Sequence, residues 1–217
     1  MDKNSIITCN LSSNNELQQF TPESALAFLK KGNQRFAQST TTSRSNSDRI
    51  TTARNGQYPL AIVSSCIDSR VLVEDIFQCG VGDLFVTRVA GSVVNKDILA
   101  SFEYACGVCG AKLVIVMGHS YCGAIQSAID EVKLGNITNL LSKIKPAIDE
   151  ANKDFDGERS SKNQLFANTV SRLNVRKSIK DIRQNSPLLK ELEEKSEIKI
   201  VGGFYDLETG IVDFMME

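Results

Sequence analysis

The 217-residue chain has no tryptophan, one histidine and four prolines, and only 6% of its residues are aromatic. It also lacks a charge surplus: 25 Lys and Arg stand against 26 Asp and Glu, a formal charge of −1. Without a basic excess, nucleic acid and anionic membrane surfaces are excluded as principal partners. Gly and Pro are too scarce for a collagen-like or low-complexity chain. Apolar runs such as Leu113–Met117 fall far short of the ~20 residues that a membrane span needs. Met1–Cys9 carries an early acid and no apolar core, so it does not read as a secretory signal. Six cysteines are too sparse here for a disulfide scaffold. The expected compartment is the cytoplasm, where reduced thiols near a histidine are candidates for metal. A chain this long buries roughly 70–75% of its unfolded surface, enough for one core. A single domain over residues 1–217 is expected, with a polar tail over 1–20.

Thr21-Pro22-Glu23 opens a helix, with Thr as cap, Pro in the first turn and an acid near the positive end. Leu26, Leu29 and Phe36 continue it at helical spacing to about Ser39. Thr40–Asn55 is rich in Ser, Thr, Asn and Arg without periodicity, and reads as a long loop. Residues 21–58 are therefore expected to form a helix and arm lying on a partner subunit. The middle third alternates. Strands are expected at Pro59–Ser65, Asp83–Arg88 and Lys112–Gly118, and helices at Val71–Cys79, Asp97–Cys109 and Cys122–Lys133. Further helices follow at Thr138–Ala151, kinked at Pro146, at Ser160–Gln184 and at Pro187–Lys195. Ile198–Tyr205 and Ile211–Met215 read as a closing strand and hairpin. The expected fold class is α/β, a small mainly parallel sheet flanked by helices, with an N-terminal helical arm.

Three metal-competent side chains fall at strand ends. Cys66 follows one apolar strand and opens the turn Cys66-Ile67-Asp68-Ser69-Arg70. His119 ends another and begins the turn His119-Ser120-Tyr121-Cys122 into a helix. Ligand sites in open α/β sheets lie beyond the carboxyl ends of the strands, so both turns can face one crevice. Two thiolates, one imidazole and an open position suit a catalytic zinc. A cysteine alone in such a core is usually a small buried hydrophobe. Here the single histidine lies three residues from one of the cysteines. Cys106-Gly107-Val108-Cys109 has redox or zinc-knuckle spacing, but lies at the entry end of the same strand. Six strand residues at ~3.3 Å each separate the two pairs by about 20 Å. Cys106 and Cys109, like Cys9 and Cys79, read as packing residues. Asp68, two residues past Cys66, can reach a metal there, and Arg70 can hold it away by a bidentate ion pair. The alternative, a turn salt bridge of little worth, is less attractive beside Cys66.

Cys66-x-Asp68-Ser69-Arg70 with His119-x-x-Cys122, 53 residues apart, resembles the β-class carbonic anhydrases. The resemblance runs from about Glu23 to Asp206. It includes Gly80-x-Gly82-Asp83-x-Phe85, Arg88-Val89-Ala90-Gly91, Glu103-Tyr104-Ala105, Asn174-Val175 and Gly203-Phe204-Tyr205-Asp206. It implies one zinc ion per chain on Cys66, His119 and Cys122, with Asp68 and Arg70 as a catalytic gating dyad. It also implies carbon dioxide and bicarbonate as reactants, interconverted through zinc-bound hydroxide. Gln57 matches a glutamine that hydrogen-bonds substrate in plant-like members. Phe85, Ala90 and Tyr104 match pocket-wall positions, and Gly123 a glycine beside the metal. The family forms homodimers or dimers of dimers with the cleft at the subunit interface. Members with a non-catalytic bicarbonate site share a Trp, an Arg and a Tyr; Arg88 and Tyr205 match, but Val63 stands in place of the Trp. An open site with Asp68 paired to Arg70 is therefore expected. The other classes considered are a hydrolase of carbon disulfide or carbonyl sulfide, a redox protein using Cys106 and Cys109, and a closed structural zinc module.

Overall fold

The computed structural model describes residues 13–40, 53–54 and 56–215. Its centre is a five-stranded sheet in the order β2-β1-β3-β4-β5. The strands are β1 (Ala61–Ser65), β2 (Leu84–Arg88), β3 (Leu113–His119), β4 (Lys199–Tyr205) and β5 (Val212–Met215). β2, β1, β3 and β4 run parallel, and β5 returns antiparallel on β4. Every residue of β1 and β3 is buried. That is why these segments read as continuous apolar runs rather than alternating ones: a parallel sheet is covered on both faces.

The helices are α1 (Asn14–Gln18), α2 (Pro22–Ala37), α3 (Val73–Ile76), α4 (Lys96–Glu103), α5 (Gly123–Ile129), α6 (Ile137–Ser142), α7 (Lys145–Asp154), α8 (Gln164–Asn185) and α9 (Pro187–Glu194). Against one face, Leu26 and Leu29 of α2 and Ile76 of α3 pack on Ala61, Val63, Ile115 and Val201. Against the other, Ile98 and Phe102 of α4, Val175 and Ile179 of α8 and Leu189 of α9 pack on Ile62, Val114, Val116 and Ile200. Helix α8 comes close to β3 just before its end: a Cβ on Gly118 would lie 2.8 Å from Ser171 Oγ and 3.0 Å from Val175 Cγ2.

Several boundaries differ from the sequence reading. Thr21 caps α2 through a capping box with Ser24, as its sequence suggests. The expected polar tail contains α1: Ser13 accepts the Glu16 N–H, and Leu17 is fully buried. Only Val73–Ile76 of the expected helix Val71–Cys79 is helical. It has no side-chain cap, and Gln78 at φ +53° turns the chain out. Beyond Glu103 the turn Tyr104–Val108 is a π-helix. In place of one kinked helix at Thr138–Ala151 there are two, α6 and α7, with Pro146 in the first turn of α7, where its missing N–H costs no hydrogen bond. Of the expected loop Thr40–Asn55, all but Thr40, Ala53 and Arg54 lies outside the described residues.

Candidate metal centre

Strands β1 and β3 are neighbours, but the chain leaves them in opposite directions, from β1 towards β2 and from β3 towards β4. A crevice therefore opens beyond their carboxyl ends, the switch point of the sheet. Cys66 follows β1, His119 ends β3 and Cys122 precedes α5, so the topology brings the three together. Their ligand atoms lie within 4.8 Å of one another and all three residues are buried; among the described residues this is the one such cluster. The two sulfurs are 3.9 Å apart. The His119 Nδ1–H donates to the Ser120 carbonyl at 2.8 Å. A carbonyl can only accept, so Nδ1 carries the proton and Nε2 presents a lone pair. Nε2 is buried and has no hydrogen-bond partner. An orphaned buried imidazole nitrogen beside two thiols is the donor set of a zinc site with one position open, so these residues fit zinc.

The sulfur environment favours a thiolate. The Gly91 N–H donates to Cys66 Sγ at 3.3 Å. Hydrogen bonding from Cys122 is the main cause holding the Cys66 thiol well below the ordinary range, against burial and with help from His119 and the Gly91 N–H. The same contact pushes the Cys122 thiol far up, because one proton is shared between the two sulfurs. Gly91 reaches the sulfur through a left-handed turn at φ +68°, where a Cβ would lie 2.9 Å from Ile144 Cδ1. Asn174 on α8 donates to the Gly91 carbonyl at 2.9 Å and fixes that peptide. The surroundings are otherwise apolar, with Val93, Ile125, Leu141, Ile144, Phe166 and Val170 in one cluster with Cys66 and Cys122.

Beside the thiols, Arg70 holds Asp68 with both ends of its fork: Nε to Oδ1 at 2.9 Å and Nη2 to Oδ2 at 2.7 Å. The Arg70 hydrogen bonds hold the Asp68 carboxyl down at about 2. Arg88 Nε donates to the Cys66 carbonyl at 3.0 Å, bracing the turn. Gly123 is the first residue of α5, with open space where its Cβ would be. Ala90 stands in the short 3₁₀ turn with Gly91. The remaining residues singled out in the sequence lie apart. Phe85 and Tyr104 have ring centroids 6.2 Å apart and line a cavity of about 430 Å³ with Ile62 and Thr87, to which no residue of the cluster contributes. Gln57 is exposed on the segment before β1. Sequence reasoning did not assign site roles to Gly91, Arg88, Asn174 or Tyr121. The signal for Asn174 was available: helical spacing puts it on the buried stripe of α8 between Val170 and Ser178.

The carbonic anhydrase family model matches residues 61–212. Carbonic anhydrase 2 of Mycobacterium tuberculosis is 30% identical over 195 residues, covering 87% of this chain and 90% of that protein. The chain belongs to the β-class carbonic anhydrases. It is an enzyme of reversible carbon dioxide hydration. The carbonic anhydrase of Mycolicibacterium smegmatis is 38% identical over 133 residues, 58% of this chain and 65% of that protein. A tetrameric β-carbonic anhydrase of the ascomycete Sordaria macrospora shares the fold, with a TM-score of 0.69 at 24% identity over 78% of this chain and 87% of that one. The mainly parallel sheet flanked by helices is thus the carbonic anhydrase architecture, as the motifs suggested.

Proposed function

We propose that Cys66, His119 and Cys122 hold the catalytic zinc and that Asp68, paired with Arg70, orients the water that attacks carbon dioxide. The observation that carries this reading is the buried, unpartnered His119 Nε2 facing two thiols. Zinc held there supplies a Lewis acid that makes water a nucleophile near neutral pH. Asp68 is ionised at that pH, so it accepts a hydrogen bond from the attacking water and aims its lone pair at carbon. Arg70 occupies both Asp68 oxygens, which keeps the carboxylate from serving as a metal ligand. This supports the open form of the site. The Gly91 N–H and the Ser120 carbonyl orient Cys66 and His119 from behind. His119 is the only histidine in the chain, and its Nδ1 is committed to Ser120. No imidazole is left to carry protons outward, so turnover depends on dissolved buffer.

Self-association belongs to the same reading. β2 is an edge strand, and the Phe85–Tyr104 cavity beside it has no contribution from the cluster of its own chain. Apolar walls for carbon dioxide would then come from a second copy, as a homodimer or a dimer of dimers, with Gln57 and Ala90 completing the pocket. No helix among the described residues is long and apolar enough to cross a membrane, and the need for reduced thiols favours the cytoplasm. The test is stopped-flow carbon dioxide hydration by the zinc-loaded protein from about pH 6.5 to 9, beside Asp68→Asn. Activity near neutral pH that Asp68→Asn removes is expected. Wild-type activity only well above neutrality would mean that Asp68 closes the site; hydrolysis of carbonyl sulfide without carbon dioxide hydration would overturn the reading.

A further inference from the structure

The turn that carries His119 and Cys122 is clasped by the hairpin turn between β4 and β5. The Ser120 N–H donates to the Tyr205 carbonyl at 3.0 Å, and Ser120 Oγ accepts from the Leu207 N–H at 2.9 Å. A third tie comes from Tyr121, whose phenol donates to Glu208 Oε1 at 2.5 Å. The hairpin turn is a firm anchor for it. Asp206 Oδ1 accepts from the Glu208 N–H at 2.8 Å and the Thr209 N–H at 3.1 Å. The Gly210 N–H closes on the Asp206 carbonyl at 2.9 Å.

Tyr121 itself has a left-handed backbone, φ +57°, which disfavours any residue with a Cβ. The residue is more than a third exposed, so burial does not explain a tyrosine at this position. What the conformation achieves is the direction of its carbonyl, which accepts from Arg70 Nη2 at 3.3 Å. The same nitrogen holds Asp68 Oδ2. Hydrogen bonds thus link Glu208 to the Tyr121 side chain, and the Tyr121 backbone through Arg70 to Asp68. The cluster of ligand atoms within 4.8 Å comprises Cys66, His119 and Cys122, without Asp68.

We propose that Tyr121 and Glu208 are positioning residues for the Asp68–Arg70 pair. The phenol–carboxylate bond holds the left-handed turn, the turn presents its carbonyl to Arg70, and Arg70 keeps Asp68 off the metal and aimed at the attacking water. The inference rests on the functional reading above, in which Asp68 acts from outside the zinc ligand set.

The test uses the full-length protein with Tyr121→Phe, Glu208→Ala and Glu208→Gln, the double variant Tyr121→Phe/Glu208→Ala, and Lys195→Ala, exposed just past α9, as a surface control. Tyr121→Phe and Glu208→Ala should each lower kcat about three- to tenfold, the range of one hydrogen bond net of solvent, with KM and zinc content unchanged. The double variant should fall no further than either single one, because both remove the same bond. Glu208→Gln, which keeps an acceptor oxygen, should recover part of the loss. The cobalt-loaded protein gives a readout independent of turnover: its visible absorption should change in Tyr121→Phe and Glu208→Ala, as Asp68 approaches the metal, and not in Lys195→Ala. Wild-type kcat and an unchanged cobalt spectrum in both single variants would overturn the proposal. Loss of bound zinc in step with kcat would also overturn it, because the turn would then only be holding ligands. The underlying reading fails separately, if Asp68→Asn retains full activity or the wild type binds no zinc.

Discussion

Two pairs of cysteines sit at opposite ends of β3, equally out of the solvent for their deepest members and opposite in chemistry. Cys66 and Cys122, 56 residues apart in sequence, meet at 3.9 Å. Cys106 lies in the π-turn that precedes the strand, and Cys109, three residues on, caps it. Cys66 and Cys106 are 4% and 6% exposed, so burial does not separate them. Burial, with a smaller push from Cys109, raises the Cys106 thiol to about 12. Around Cys66 the same burial is outweighed by the hydrogen bond from Cys122, with the Gly91 N–H adding to it. A dry site makes an inert thiol unless donors are already fixed around the sulfur; with them it makes a thiolate ready for metal.

The largest effect that would break this comparison is loss of metal. Cys66→Ser should lower zinc affinity by more than about 100-fold, the upper end seen for mere outer-shell partners, and abolish carbon dioxide hydration. Cys106→Ser and Cys109→Ser should each keep one zinc per chain, as read by elemental analysis of dialysed protein. Zinc loss from Cys106→Ser would mean that the two pairs are not chemically distinct.

Next in size is a variant that divides the rich pair's neighbourhood into holding and acting groups. Asp68→Asn removes the carboxylate and leaves the two thiols and His119 in place. Stoichiometric zinc with kcat reduced about 100-fold or more, the low end for a positioned acid–base group, is expected. Stopped-flow rates and metal content on one preparation check both halves.

How far the comparison was legible in sequence depends on what each part of it needed. The turn at Cys66 and the turn at His119 follow strands whose apolar runs are plain, and the rule that parallel strands place ligands at their carboxyl ends brought the two turns together. The length of β3 alone sets Cys106 and Cys109 apart from the turn at His119. What could not be read were features carried by backbone conformation. Gly91 reaches Cys66 through a positive φ, and Tyr121 turns its carbonyl to Arg70 through another. Neither angle leaves a periodicity in the sequence. Helix ends were blurred for the same reason: α3 stops after one turn because Gln78 goes left-handed, although its apolar pattern runs on.

Asn174 offers a sharper and smaller test, since it touches the thiolate side only through Gly91. Its amide donates to the Gly91 carbonyl, so Asn174→Ala frees the peptide whose N–H faces Cys66 Sγ. Zinc affinity should drop about tenfold, the low end for an outer-shell partner, with kcat of the zinc-saturated enzyme nearly unchanged. Competition with a chromophoric chelator measures it. A fall in saturated kcat at normal affinity would assign Asn174 to the reaction and not to the sulfur.

The smallest expected effect is at the inert pair. Cys106→Ala should leave hydration activity unaltered and cost about 1 kcal/mol of stability at neutral pH, as for other deletions of a small buried group. Its signature is in alkali. The folded protein holds the Cys106 proton up to about 12, whereas an unfolded chain releases it near 8.5. A raised folded value means that the contribution is fully present below about pH 8.5 and is lost as pH climbs towards 12. Each unit of such a rise is worth about 1.4 kcal/mol, so the wild type's lead in urea midpoint should close within about one pH unit above 8.5 and then reverse as pH climbs further, the lysines and tyrosines common to both cancelling in the difference. A gap that stays constant into alkali would mean that Cys106 ionises as readily in the fold as outside it, and burial would no longer explain why one thiol pair is inert and the other is not.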